Sequence, residues 1–415
     1  MVIVLGFAVF AALVVARAGG PRHSVYAVPP MAVGSAAFAN AMEAYTSAPI
    51  VGGNRVQVLL NGDEIFPALL AAIRGARHSI TYAQYFFKDG PVAQAVVDAL
   101  AERCRAGIPV HILLDGVGTM NMPHASTSEL EQASCQVRTF RPLGRLSLVR
   151  ANHRNHRRIL VVDGRVGFTG GSGVSWKWMG DGRQPDHWRD TDARVEGPAV
   201  EYLQAAFVSR WVEVTGAMLG GEAYFASSPG RAGEVRAQVV RSSPEEGADA
   251  MYRLFLLAAS AARRSVLLTN PYFLPDDALT DALMQAVRRG VSVKVLVPGV
   301  VDHELVRKAS RAEFGHLLQA GIEIYEYQAA LLHAKTMVVD GVWATLGSTN
   351  LDNRSFALNE ELNLVVYDAT VASRLETAFY DDLKYASRVE YEAWTHRPVK
   401  DRILELIMRP IRNFI

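Results

Sequence analysis

His333 and Lys335 lie two residues apart in an apolar run that reads as a β-strand, so both side chains leave the same face. Asp340 follows at an Asp-Gly turn. Gly347, Ser348, Thr349 and Asn350 then close the return strand, where a small residue, a hydroxyl and an amide can approach an anion. The same order occurs 177 residues earlier, with His156 and Arg158 at the same spacing, Asp163 at the turn, and Gly171 and Ser172 on the return. A histidine beside a fixed cation, present twice, suits two-step displacement at phosphorus. One imidazole attacks and the other handles the leaving group's proton. The cations and amides would hold the charge that builds on the phosphoryl oxygens. A single His-x-Lys pair would read as surface strand. Two pairs at matching positions, each with its downstream Asp-Gly and Gly-Ser, do not.

The elements that must position these residues are themselves duplicated. Residues 66–118 read as helix, strand, helix, strand: FPALLAAIRGA, HSITYAQYFF, PVAQAVVDALAERCRAGI, PVHILLDG. Residues 252–299 repeat that order with YRLFLLAASAA, RSVLLTNPYFL, DALTDALMQAVRRG and VSVKVLVPG. The helices show a 3.6-residue period and stop at Gly107 or Gly290, and the strands are continuous apolar runs. This is the grammar of an α/β fold whose parallel or mixed sheet is covered by helices. The expected division is a first half over 54–215, a linker over 216–235 rich in Gly, Ala and Ser, and a second half over 236–395.

Composition narrows the function classes. Half of the 415 residues are hydrophobic and 20% are charged, which excludes a disordered or collagen-like chain. The 43 Lys and Arg against 42 Asp and Glu leave a net charge of +1, without the basic excess usual for a polyanion binder. Cys104 and Cys135 cannot build a disulfide framework and lack zinc-ligand spacing, so they read as two buried or half-buried thiols. Of the basic residues only 7 are Lys; a GC-rich coding bias accounts for the excess of Arg and makes Lys335 conspicuous. Residues 1–18 open with an uncharged apolar run, Met1 to Ala16, that reads as a short anchor or a signal segment, and 19–53 as a linker. Arg17 and Arg22 follow that run, favouring an anchor with the body on the cytoplasmic side. At the other end, 396–415 reads either as a basic amphipathic helix at a membrane surface or as a helix docked on the protein itself.

The paired segments resemble the phospholipase D superfamily, whose signature is H-x-K-x(4)-D followed by G-[SG]-x-N in each half. The second half matches through His333, Lys335, Asp340, Gly347, Ser348 and Asn350. The runs GSTNLDNRSFALNEELN, HRNHRRILVVDG and WRDTDARVEGPAV, and IYEY before LLHAK, are similar to the bacterial cardiolipin synthases within it. The similarity covers about residues 54–395. It implies a duplicated phospholipase D-like α/β/α sandwich with two pseudo-symmetric halves sharing one active site. It also implies a metal-independent, cofactor-free enzyme that works through a phosphohistidine, transferring a phosphatidyl group between two phosphatidylglycerols at the bacterial cell membrane. Catalytic roles fall by that resemblance on His156, Arg158, Asp163, His333, Lys335 and Asp340, with His156 as nucleophile and His333 as acid and base; the reverse order is the alternative.

Two departures mark the first half: Arg158 stands where the family has Lys, and Gly173 where the second half has Asn350. Arg keeps the charge but presents a fork rather than a point. Ser172, Ser348 and Asn350 are candidate substrate-binding residues. Arg154, within a run of four Arg and two His over 150–158, is a candidate headgroup clamp, against a solvated basic loop. Aligning VEGPAV with VYDATV sets Asp190 opposite Glu361, and both become candidate partners that fix a histidine tautomer. Trp176, Trp178 and Met179 read either as core or as an acyl-chain contact. Beside the transferase stand a hydrolytic phospholipase D, a nuclease on the same scaffold, and an inactive lipid-binding scaffold. The expected partners are phospholipids and a membrane surface, not nucleic acid.

Overall fold

The apolar runs become strands of one 15-stranded sheet. The computed structural model describes residues 26–142, 152–226, 230–245, 249–301 and 304–398. The apolar N-terminal run, and the C-terminal helix expectation from residue 399 onward, lie outside them. Among the described residues no helix is long and apolar enough to cross a membrane.

The first half supplies β1 (Ile50–Leu60), β2 (Ile80–Gln84), β3 (Val110–Asp115), β4 (Gln136–Phe140), β5 (Ile159–Val162), β6 (Val166–Gly170) and β7 (Thr191–Glu196). The second supplies β8 (Val235–Ser242), β9 (Ser265–Thr269), β10 (Ser292–Val300), β11 (Glu323–Leu331), β12 (Thr336–Val339), β13 (Trp343–Gly347), β14 (Glu361–Tyr367) and β15 (Ala386–Arg388). In space the first half runs β1-β7-β6-β5-β2-β3-β4 and the second β8-β14-β13-β12-β9-β10-β11, with β15 beyond. The two orders are the same, and β1 pairs with β8 to join them. The expected duplication is therefore present strand for strand.

Helices cover both faces, as buried parallel strands require. Helices Ala199–Thr215 and Ala369–Leu383 meet in a core that draws Leu203, Phe207 and Trp211 from one half and Leu375 and Phe379 from the other. Outer cores form under Asn61–Arg74 and Pro91–Arg105 on the first half and under Asp249–Ala261 and Asp277–Arg288 on the second.

Both motif hairpins have the expected turn. Asp163 and Gly164 have φ of 57° and 61°, and Asp340 and Gly341 have 55° and 66°, so both central residues of each β-turn are left-handed, in loops whose flanking pairs are Val162 with Val166 and Val339 with Trp343. Each aspartate then reaches backward. Asp163 accepts from the backbone N–H of Arg77, His78 and Ser79 at 2.7–3.1 Å, fixing the entry to β2. Asp340 does the same for Arg263, Arg264 and Ser265 ahead of β9. This corrects their assignment as catalytic residues. Seven residues of extended chain, about 23 Å, separate each from its histidine, and their lone pairs are used by the backbone.

Two further expectations change. The stretch read as linker over 19–53 contains a helix, Ala36–Thr46, whose Phe38 and Met42 are fully buried against the second half, where Phe38 meets the Trp343 ring at 6.2 Å. Its short length and weak amphipathic pattern hid it. Cys104 and Cys135 are not separate thiols but a disulfide. The end of helix Pro91–Arg105 passes beside the start of β4, bringing their Cα atoms to 5.5 Å, a distance a disulfide spans.

Candidate active site

The two histidines stand in extended chain just before β5 and β12, outside the regular ladders rather than within a strand. Each is pinned there by the opposite half. The N–H of His156 donates to the Glu360 carbonyl at 3.0 Å, and the N–H of Glu360 donates to the Arg154 carbonyl at 2.8 Å. The N–H of His333 donates to the Arg189 carbonyl at 2.7 Å, and that of Arg189 to the Leu331 carbonyl at 2.9 Å. These two short bridges set each imidazole next to a carboxylate from the other half. His156 Nδ1 lies 2.9 Å from Glu361 Oε1, and His333 Nδ1 lies 2.7 Å from Asp190 Oδ2. With Nδ1 bonded to a carboxylate, the proton sits there and Nε2 is left with its lone pair. Buried ion pairs brace the crossing: Arg157 to Glu360 at 2.9 Å, and Arg189 to Asp382 at 2.9 Å.

The two carboxylates, both fully buried, are held differently. Burial pushes Glu361 up to about 7, against the pull of the Ser348 hydroxyl and the Arg158 charge. Burial also works to raise Asp190, but His333, Lys335 and the Trp178 indole outweigh it and hold this carboxyl well below the usual range. Burial, then Arg158 and Lys335, drives His156 well below an ordinary histidine. Burial and Lys335 lower His333 to about 4, with Asp190 pulling the other way. Asp190 thus opposes the lowering at His333, whereas burial and the neighbouring cations all act to lower His156.

The cations flank this cluster. Lys335 Nζ is 3.1 and 3.2 Å from the two ring nitrogens of His333 and donates to its carbonyl. Arg158 donates to the His156 carbonyl at 2.6 Å, its guanidinium carbon lies 5.4 Å from the Tyr85 ring centre, and its Nε is buried without a hydrogen-bond partner. Asn350 is buried too, with Oδ1 unpartnered. An unpartnered guanidinium N–H beside a histidine pair can donate to an anion, whereas the Asn350 oxygen can only accept.

Several candidates do other work. The Ser348 hydroxyl donates to Glu361, and the Ser172 hydroxyl to Asp192 at 2.5 Å, so both hold carboxylates rather than face an open cleft. Arg154, the proposed clamp, is 2% exposed; it donates to the Arg141 and His153 carbonyls and lies 3.7 Å from Asp115. It is a strut, because the chain before His156 turns inward. Trp178 is buried and Trp176 is exposed. The sequence pattern gave no sign of Tyr85, whose ring stands edge-on to His156 at 4.6 Å, or of Asp192, which burial and neighbouring Asp190 push up to about 6.

A sequence model of the cardiolipin synthase, phospholipase D-like domain matches residues 69–211 and again 256–383. The chain belongs to this family. It is 35% identical over 366 residues to the cardiolipin synthase of Geobacillus kaustophilus (strain HTA426), spanning 87% of this chain and 72% of that protein. It is 31% identical over 390 residues to cardiolipin synthase 1 of Bacillus anthracis, spanning 92% and 77%. In fold it is similar to the phosphatidylserine synthase of Haemophilus influenzae, with a TM-score of 0.69 at 11% identity over 91% of this chain and 100% of that one. Polyphosphate kinase from Porphyromonas gingivalis follows at 0.54 and 13%, over 87% and 54%.

Against the family pattern, the Gly173 departure has a steric cause. A Cβ there would lie 2.9 Å from the Trp178 ring, so the indole occupies the space that Asn350 has in the other half. A Cβ on Gly171, opposite Ser348, would lie 2.2 Å from Asp190 Oδ1. Trp178 Nε1 donates to Asp190 at 2.8 Å, supplying from the indole the hydrogen bond that Ser348 gives Glu361. Its ring also stands edge-on to His333 at 5.3 Å. The first motif is rebuilt around one tryptophan.

Proposed function

We propose that the protein is a phosphatidyltransferase of the cardiolipin synthase type, joining two phosphatidylglycerols and releasing glycerol. The observation that carries the reading is the crossed pair of buried histidines, each with Nδ1 on a carboxylate of the other half and a cation two residues on. His156 Nε2 attacks the donor phosphorus, a P–N bond forms, and the bond from phosphorus to the glycerol oxygen breaks. His333, protonated in the donor complex beside the phosphate anion, gives its proton to that oxygen. The neutral His333 then takes the proton of the acceptor hydroxyl, whose oxygen attacks the phosphohistidine and breaks the P–N bond. Arg158 and Lys335 balance charge on the phosphoryl oxygens, and Asn350 offers a polar contact. The role order follows the partners: a firmly anionic Asp190 favours a protonated His333, while Glu361 leaves His156 neutral. The substrates are membrane lipids, so the reaction takes place at a bilayer surface.

Purified protein in mixed micelles with labelled phosphatidylglycerol tests this. Diphosphatidylglycerol with an equal amount of glycerol is the expected outcome. Phosphatidic acid alone would replace the reading with a hydrolytic phospholipase D. Full activity in His333→Ala would overturn the mechanism.

A further inference from the structure

Joining two phosphatidylglycerols brings two phosphates to one site. The donor phosphate takes the charge of Arg158 and Lys335. The acceptor's attacking hydroxyl is five bonds from its own phosphorus, roughly 6 Å in an extended chain. A second anion must therefore be held close to the phosphohistidine, a demand that water or free glycerol never makes.

Beside His156 lies a cationic group that the two histidine steps leave unused. Tyr85 is half-buried, with its ring against the His156 imidazole; burial and Asp115 push its phenol up, and Arg354, Arg158 and Arg154 pull the other way. Arg154 is occupied by Asp115 and backbone carbonyls. Arg354 is different. It is half-buried and donates to neutral oxygens of Asn152, Oδ1 at 2.8 Å and the carbonyl at 3.1 Å, with no carboxylate partner among the described residues. Its charge also reaches His156. The short helix that carries it, Asn353–Ala357, is rigidly seated: Asp352 caps it, the Arg354 carbonyl accepts from Leu358 and Asn359, and Phe356 is buried. A half-buried guanidinium whose hydrogen bonds go to neutral oxygens, with Asp352 acting on it only through space, is an arrangement that a bound anion stabilises.

We infer that Arg354, assisted by the Tyr85 hydroxyl, binds the phosphate of the acceptor lipid at a subsite beside His156, separate from the donor phosphate between the two histidines. The inference rests on the transferase reading, and it makes Arg354 a determinant of acceptor choice. A charged acceptor gains from the subsite, and an uncharged one does not.

The test compares two acceptors in the same micelles: phosphatidylglycerol, read as diphosphatidylglycerol, and labelled glycerol, read as label exchanged into phosphatidylglycerol. Both pass through the same phosphohistidine. Arg354→Gln is expected to lower the ratio of diphosphatidylglycerol formation to glycerol exchange by about ten-fold or more, the effect of losing a hydrogen bond to a charged group. Arg354→Lys should keep most of the ratio, and Tyr85→Phe should lower it about three-fold, as for a neutral hydrogen bond. A ratio unchanged in Arg354→Gln, whatever the absolute rates, would overturn the subsite and leave the transferase reading intact; so would equal ratios in the Gln and Lys variants. Wild-type protein that exchanged glycerol but made no diphosphatidylglycerol would remove both.

Discussion

Glu361→Gln, assayed on a donor whose leaving group needs no proton, separates the two orders of attack. The donor is a phosphatidyl diester of p-nitrophenol, and the signal is the burst of nitrophenolate as the phosphohistidine forms. His333 then has no proton to deliver, so the burst rate reports the nucleophile alone. Glu361 titrates at about 7. Ionised, it accepts the Nδ1 proton of His156 and leaves Nε2 free to attack. Protonated, it donates to Nδ1, and the ring proton moves to Nε2, where it blocks attack. The ionised fraction rises from roughly one-tenth at pH 6 to nine-tenths at pH 8, so the wild-type burst should rise nearly ten-fold over that interval. In Glu361→Gln the amide oxygen still accepts from Nδ1 but no longer titrates, and Asp352, which burial also pushes up to about 7, accepts from the Ser355 N–H rather than from the His156 ring. The profile should flatten, at a rate about ten- to a hundred-fold below the wild-type plateau. Asp190 is held anionic throughout this interval. If His333 were the nucleophile, the wild-type profile would change by no more than about two-fold from pH 6 to pH 8, the span left by Asp192 at about 6, and Glu361→Gln would not change its shape. Either result would refute the assignment of His156.

Asp163→Ala and Asp340→Ala should each lower the unfolding free energy by about 1–3 kcal/mol, since three backbone N–H groups lose their acceptor. Denaturant melts check this, and a collapse in turnover of fully folded variant would contradict it. Trp178→Phe keeps the ring beside His333 but removes the donor 2.8 Å from Asp190. It should slow glycerol release about ten-fold while leaving the nitrophenol burst within a few-fold, since only the former needs the His333 proton. Arg158→Lys and Asp192→Asn should be coupled, because Arg158 and Asp192 act on each other and the second half carries Lys335 with Asn363 instead. A double-mutant cycle on the transfer rate is expected to give an interaction of at least about 1 kcal/mol, with the double variant faster than Arg158→Lys alone.

Local pattern carried the scaffold. The helix-strand repeats, the Asp-Gly hairpins and the 177-residue offset were all visible in the chain because they depend on residues close in sequence. The alignment that set Asp190 opposite Glu361 found two carboxylates the structure brings to histidines. It did not reveal that each serves the histidine of the other half, a property of how β1 meets β8 rather than of either sequence. The roles of Trp178 and Tyr85 were equally out of reach. An indole between polar residues reads the same whether it fills a core or donates to Asp190, and Tyr85 lies in an ordinary β-rich run. Ser172 and Ser348 were misread because hydroxyls near a motif suggest a ligand, whereas buried carboxylates 13 to 20 residues downstream claimed them. Cys104 and Cys135 are 31 residues apart, and their proximity arises only when a helix packs beside the strand that follows.

The exchange of carboxylates between halves has a consequence for how such a site arises. A single half, alone, would hold a histidine and a carboxylate that do not meet, and would become competent only by pairing with a second copy. In a pair of identical copies the two imidazoles would be equivalent, each bound to be attacker and proton donor by turns. Carrying both halves in one chain releases that constraint. One histidine can keep a carboxylate that titrates near neutrality while the other is tied to a permanent anion and an indole. The broken symmetry around Gly171, Gly173 and Trp178 gives the two imidazoles the unlike surroundings that the proposed division of labour requires.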